Sequence, residues 1–401
     1  MVDSMGWPRA LAVFGGGLVA AGFVGVGPVA AAPDDFASFK EQQGQAVERF
    51  QAQRQEEFQA YRRKIREAFE EYKEKAAAVW GEDNAAIPGR KQWVAYRDAM
   101  RQRRVVDFEE GTASYQVAVE PGNGDDESAR QRLIDAISES VRQGADRRSI
   151  VDIAKNPDQV EPSGAPLLEG LFRTETGKPV TAENARDFAR EAVEKGVEQS
   201  RVKGEDGKER MVVSAEIPMI PDHVRKRAEK YDHLVQKHAQ RQELKPELVY
   251  AVMETESFFN PQARSHIPAF GLMQLVPVSG GRDAYRFVHG VDKAPSEEYL
   301  YQPGNNVELG AAYLHRLYYD YLDDIDNDQA RMWCAVASYN TGAGNLYKTF
   351  SPDGDKSAAV RKINRMSADE VFRYLVEHLP YEETQHYVQK VRKKMPKYRR
   401  M

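Results

Sequence analysis

Four pairs of apolar residues recur at one interval near the start of this 401-residue chain: Phe36 and Phe39, Val47 and Phe50, Phe58 and Tyr61, Phe69 and Tyr72. Each pair lies eleven residues after the one before. Eleven residues make three turns at about 3.67 per turn, so the pairs form one nearly straight stripe on a long helix, with a slight right-handed drift. No proline interrupts residues 34–80. At about 1.5 Å per residue such a helix extends roughly 65 Å. Its stripe serves either as a spacer facing a membrane or partner, or as a strip of core packed on the protein's own domains. An apolar stripe on a helix is ordinarily core, and that is the expectation.

The remaining length leaves room for two further domains. The charge sum of 57 basic against 62 acidic residues, net −5, argues against a protein that wraps nucleic acid. One cysteine, Cys334, excludes an internal disulfide framework and any cysteine-built zinc or iron–sulfur site. Its neighbours Met332–Val336 are apolar, which marks it as packing. With 41% hydrophobic and 30% charged residues, the chain is no polytopic membrane protein.

Between Arg9 and Asp34 no charged residue occurs, and Leu11–Val29 is apolar and closed by Pro28. This pattern is that of a signal sequence, with Ala30, Ala31 and Ala32 supplying small residues and Pro33 directing the cut to follow Ala31. The mature protein is then exported. The alternative is an uncleaved anchor, although six glycines between Gly15 and Gly27 weaken the run as a helix. No cysteine follows it to carry a lipid.

Residues 81–220 mix patterns and read as a small α+β domain. Gln92–Arg103 and Glu127–Arg142 look helical, while Val105–Phe108 with Ser114–Val119, and Ser200–Lys203 with Met211–Ile217, read as hairpins about glycine turns. The region contains no phosphate loop, no histidine pair at ligand spacing and no GxSxG, so binding or positioning is its expected role. After Pro218 and Pro221 closely spaced helical segments run to the end, which makes residues 221–401 an all-α unit.

Within that unit Pro246 opens a helix, PELVYAVMETES, expected to stop at Asn260–Pro261. On a 3.6-residue period Val249, Val252, Glu256 and Phe259 share a face, and Glu254 lies about 200° from Glu256. A glutamate closing an apolar face is desolvated, which favours its neutral form and suits it to donate a proton. Most glutamates only sit on surfaces or cap helices, so the segments that follow carry the weight.

Those segments are ESFFNPQARSHIPAFGLMQLVP (Glu256–Pro277), ASYNTGAGN (Ala337–Asn345) and LPYEETQHYV (Leu379–Val388). In this order they resemble the motifs of the lytic transglycosylases, goose-lysozyme-like enzymes that cleave bacterial cell-wall glycan. The resemblance lies in the ES, the A-x-S at Ala263 and Ser265, and the GLMQ at Gly271–Gln274. It also lies in a YNAG motif written here with Thr341, and in a late PY-x-ET-x-x-YV motif. EIPM at Glu216–Met219, the run Arg264–Ala284, DDFASFKEQQ and VDFEEG are similar to the branch named membrane-bound lytic murein transglycosylase C. The likeness is strong from Ala215 to Lys390 and looser before. Members of that branch are lipoproteins, and this chain departs from them in lacking the lipid-bearing cysteine.

The resemblance implies a mainly α protein: a lysozyme-like all-α catalytic domain preceded by a small α+β domain and a long N-terminal helix. It implies cleavage of the β-1,4 bond between N-acetylmuramic acid and N-acetylglucosamine with closure of a 1,6-anhydro ring. Glu256 would be first acid and then base. Ser265, Gln274, Tyr339, Asn340 and Tyr381 would bind substrate, with Glu383 as support and Met273 and Phe270 lining a saccharide groove. No metal or cofactor is implied. The expected partners are peptidoglycan glycan strands and other cell-wall enzymes, in the periplasm, with membrane association and without nucleic acid. A hydrolase on the same fold, and a glycan-binding scaffold without activity, are the alternatives. The basic run Lys390–Met401 is expected to be a solvated helix end.

Overall fold

The computed structural model describes residues 33–120 and 126–401, so the signal-sequence reading lies outside the described residues. In chain order the elements are α1 (Pro33–Trp80), β1 (Gln92–Arg97), β2 (Gln102–Asp107), β3 (Thr112–Val119) and α2 (Asp126–Arg142). Then come β4 (Ala145–Asp146), α3 (Ile150–Lys155), β5 (Pro162–Ser163), α4 (Ala185–Lys195), β6 (Glu198–Lys203) and β7 (Glu209–Pro218). Helices alone follow: α5 (His223–Lys230), α6 (Asp232–Arg241), α7 (Pro246–Ser257), α8 (Arg282–His289), α9 (Glu297–Leu300) and α10 (Pro303–His315). The last are α11 (Asp328–Thr341), α12 (Ala343–Phe350), α13 (Lys356–Ile363), α14 (Ala368–His378) and α15 (Glu382–Lys394). The protein is thus mainly helical, with its strands confined to the region before α5.

The chain forms two compact units. Among the described residues, one comprises residues 33–60 with Tyr313–Lys393; the other comprises Tyr61–Ala312 with Lys394–Met401.

In the larger unit an antiparallel sheet has the order β1-β2-β3-β7-β6. Its register sets Trp93 beside Val106, Val106 beside Ala113 and Ala113 beside Ile217, a row of buried side chains across four strands. Side chains on one face of neighbouring strands pack as such rows. Helices α2 and α4 cover this face with Leu133, Ile137, Val141, Phe188 and Val193.

The helical reading of residues 92–103 is corrected here: β1 and β2 form a hairpin in which Trp93, Val94 and Tyr96 are buried. The turn joining them places Asp98, Ala99 and Met100 at positive φ, at 53°, 48° and 65°. None is a glycine, and a left-handed residue with a Cβ costs roughly 1–2 kcal/mol. Partners distant in sequence hold the turn. The Trp80 indole donates to the Met100 carbonyl at 2.7 Å, and the Ala99 amide donates to Asp158 at 3.2 Å. No local signal announced this turn.

From Tyr61 onward the stripe of α1 is core. Ile65, Phe69, Tyr72, Ala76 and Trp80 are buried, the Phe69 ring lies 4.3 Å from that of His266, and Tyr72 meets Tyr96 edge-on at 5.7 Å. Tyr61 donates to Glu297 at 3.1 Å, and the same carboxylate accepts the amide of Ile150, so one buried acid ties α1, α3 and α9 together.

In the smaller unit α11 packs on α12 and α14, with Trp333 meeting Phe372 edge-on at 5.3 Å. Cys334 lies fully buried in α11, and burial pushes its thiol pKa up, which keeps it unreactive.

Candidate active site

Helix α7 is buried from Leu248 through Ser257. It stops earlier than expected. Phe258 and Phe259 both adopt left-handed conformations, at φ 50° and 58°, so Phe259 leaves the helical face it was assigned with Glu256. Tertiary contacts over-determine this bend. Ser257 donates its hydroxyl to the Leu272 carbonyl at 2.7 Å, and Phe259 packs against Tyr250 and Tyr398. The ammonium groups of Lys394 and Lys91 lie 4.3 and 4.9 Å from the Phe258 ring.

Glu256 sits one residue before the helix end and is 5% exposed. The Arg90 guanidinium lies 3.7 Å from its carboxylate, Nη1 to Oε2. Glu254, 2% exposed, engages different groups: it accepts from the Tyr398 hydroxyl at 2.7 Å and the Lys397 ammonium at 3.0 Å, with Lys394 at 3.5 Å. The basic C-terminal run is therefore not simply a solvated helix end, because Lys394, Met395 and Tyr398 are buried.

The turn from Gly271 to Gln274 is held from within. Gly271 has φ 76°, and a Cβ there would overlap the Leu300 carbonyl and the Asn306 amide. Asn306, fully buried, accepts the Met273 N–H at 2.8 Å and donates to the carbonyls of Phe270 at 2.9 Å and Leu300 at 2.8 Å. Gln274, left-handed at φ 49°, donates its side-chain nitrogen to Ala263 at 3.1 Å and Gly271 at 3.0 Å. That amide thus cross-links the two motif segments A-x-S and GLMQ. Ser265 is half-buried; its amide donates to Ala269 at 3.1 Å and its hydroxyl accepts from Ile267 at 3.3 Å.

The groove expectation for Met273 and Phe270 needs correction. Both are fully buried, Met273 packed so closely on Gly310 that a Cβ there would overlap its sulfur, and Phe270 meets Tyr301 edge-on at 5.7 Å. They support the turn and present no surface to a ligand.

The late motifs lie in the smaller unit. Tyr339 and Asn340 occupy the last turn of α11, both half-buried; the Tyr339 ring lies 5.4 Å from that of Tyr313. Asn340 accepts from the Thr384 hydroxyl at 2.7 Å, which joins the YN pair to the start of α15. Tyr381 and Glu383 flank that start, and the Tyr381 carbonyl accepts the amides of Thr384 and Gln385. Sequence reading missed Arg90 and Asn306. An arginine after Pro88-Gly89 and an asparagine in the first turn of a helix carry no spacing that would have marked them.

Residues 58–230 match the family model "Membrane-bound lytic murein transglycosylase C, N-terminal domain", and residues 233–361 match "Transglycosylase SLT domain". A membrane-bound lytic murein transglycosylase C from Klebsiella pneumoniae is 36% identical over 323 residues, covering 80% of this chain and 86% of that one. A Salmonella typhimurium protein of the same name is 35% identical over the same shares. Among solved structures, the 70 kDa soluble lytic transglycosylase of Escherichia coli aligns at 26% identity and a TM-score of 0.33, over 44% of this chain and about a quarter (25%) of that one. With two adjacent family models and relatives aligned along four fifths of its length, the chain belongs to the membrane-bound lytic murein transglycosylase C family.

Proposed function

We propose that this protein is a lytic transglycosylase of the bacterial cell wall, which cleaves the β-1,4 bond between N-acetylmuramic acid and N-acetylglucosamine in peptidoglycan. The observation that carries this reading is the position of Glu256: a nearly buried carboxyl at the end of α7, inside the matched transglycosylase domain, with a guanidinium 3.7 Å away. Residues 221–401 are read as the catalytic domain.

In the proposed reaction Glu256 gives its proton to the bridging oxygen as the bond to C1 of the muramic acid breaks. The C6 hydroxyl of the same sugar then attacks C1, and its proton passes to the Glu256 carboxylate, which returns the enzyme to its starting state. Water is not consumed. One carboxyl suffices because the nucleophile belongs to the substrate, whereas most glycoside hydrolases need a second carboxylate as nucleophile or base. The commitment of Glu254 to Tyr398 and Lys397 agrees with a single working acid on this helix.

Ser265, Tyr339, Asn340 and Tyr381 are read as substrate-binding groups, and Gln274 as a further contact whose nitrogen also braces the turn. Glu383 supports them. The family's membrane-bound relatives support an exported, membrane-associated location, although no helix among the described residues is long and apolar enough to cross a membrane.

The test is Glu256→Gln in the purified protein acting on sacculi, with products weighed by mass spectrometry. The wild type is expected to release ends one water lighter than reducing ends, and the variant to lose at least about a hundredfold in rate, as removal of a general acid does. Reducing ends from the wild type would establish the hydrolase instead. Undiminished digestion by the variant would remove Glu256 from the mechanism.

A further inference from the structure

Arg90 belongs to the part of the chain matched by the N-terminal domain model, and Glu256 to the part matched by the transglycosylase model. We infer that Arg90 is a positioning residue for the Glu256 carboxylate, so that the N-terminal domain supplies part of the catalytic apparatus. The inference rests on the reading of Glu256 as acid and base.

The segment carrying Arg90 is fastened by its backbone. The Gly89 carbonyl accepts the Arg264 amide at 3.3 Å, the Arg90 carbonyl accepts the Asn260 side-chain amide at 3.4 Å, and the Lys91 carbonyl accepts the Phe108 amide at 2.9 Å. Two of these partners, Asn260 and Arg264, lie in the turn that follows the catalytic helix. Lys91 is drawn aside by Glu109 at 2.5 Å, and Lys394 and Lys397 by Glu254. Arg90 is the cation this segment directs at Glu256.

The distance of 3.7 Å exceeds a direct hydrogen bond, so the guanidinium acts as a fixed charge more than as a clamp. A guanidinium keeps its proton under all working conditions, so its charge is constant through the reaction. Once Glu256 has protonated the bridging oxygen, its carboxylate is charged in a nearly buried site, where an unpaired charge costs several kcal/mol. Arg90 offsets that cost just as charge develops on Glu256. Stabilisation that grows on the way to the transition state raises kcat and leaves substrate affinity nearly unchanged.

The experiment compares full-length Arg90→Gln and Arg90→Lys with the wild type on purified glycan strands, in kcat and KM, with Glu256→Gln and the double variant Arg90→Gln/Glu256→Gln alongside. The backbone bonds survive either Arg90 substitution, and thermal unfolding verifies the fold. The glutamine variant is expected to lose roughly 10–100-fold in kcat with KM within about twofold, less than loss of the acid itself. The lysine variant should recover most of that loss, and the double variant should be no slower than Glu256→Gln. A wild-type kcat in the glutamine variant, a loss confined to KM, or equal defects in the lysine and glutamine variants would each overturn the role of Arg90 while leaving Glu256 in place. Full activity in Glu256→Gln would instead remove the underlying reading, and this inference with it.

Discussion

Asn306 on α10 accepts the backbone N–H of Met273 at 2.8 Å, and through that bond a residue outside every recognised motif shapes the GLMQ turn. Its amide nitrogen also satisfies the carbonyls of Phe270 and Leu300. Replacing Asn306 by Ala strands the Met273 N–H and the Leu300 carbonyl in a buried place, each worth about 1–3 kcal/mol if left unsatisfied, while the Phe270 carbonyl keeps the Leu275 amide at 3.1 Å. We expect Asn306→Ala to lower stability by at least about 2 kcal/mol in denaturant unfolding. Turnover should fall as well, because Ser257 and Gln274 hold the same turn against α7 and the A-x-S segment. A loss below about 1 kcal/mol would mean that water replaces the amide without penalty.

Two glycines at nearly the same φ separate backbone strain from crowding. Gly177, at 79°, has open space where a Cβ would stand, whereas Gly271, at 76°, would drive a Cβ into the Leu300 carbonyl and the Asn306 amide. Gly177→Ala should cost only the left-handed conformation, about 1 kcal/mol. Gly271→Ala adds the clash and is expected to cost more than about 3 kcal/mol. Thermal denaturation of the two variants side by side gives the comparison, and equal costs would show that the turn can move away.

Lys394 provides a pH-dependent term. Burial lowers its pKa to about 8 from the ordinary 10.5, against the opposing pull of Glu254. Below about pH 8 folded and unfolded chains both hold the proton, and the folded state bears the cost of a buried charge. Between about 8 and 10.5 the unfolded chain binds a proton that the folded chain has released, so this residue makes stability rise with pH across that window. Tyr398 keeps its proton there, since burial and Glu254 raise its pKa. We expect Lys394→Met to flatten the pH dependence of unfolding free energy between pH 8 and 9.5. An unchanged slope would assign the effect to other groups.

Much of the architecture was readable from residue order. The eleven-residue recurrence announced α1, the glycine turns announced the hairpins β2–β3 and β6–β7, and proline and polar breaks outlined the terminal helices. Three places read wrongly share one cause. The β1–β2 turn, the early end of α7 and the burial of Met273 and Phe270 each depend on a partner far along the chain: Trp80 for Met100, Leu272 for Ser257, Gly310 and Tyr301 for the last pair. Asp98, Ala99, Met100, Phe258 and Phe259 take left-handed conformations that their own side chains disfavour.

Residue order alone determined which chemical groups this protein owns, since the period of its apolar residues selects helix or strand and the motif blocks single out Glu256 as the proposed acid. It could not assign their partners. That Glu254 is consumed by Tyr398 and Lys397 while Glu256 faces Arg90 was decided by the tertiary structure, because Coulomb attraction and hydrogen bonding act through a few ångströms of space and take no account of distance along the chain.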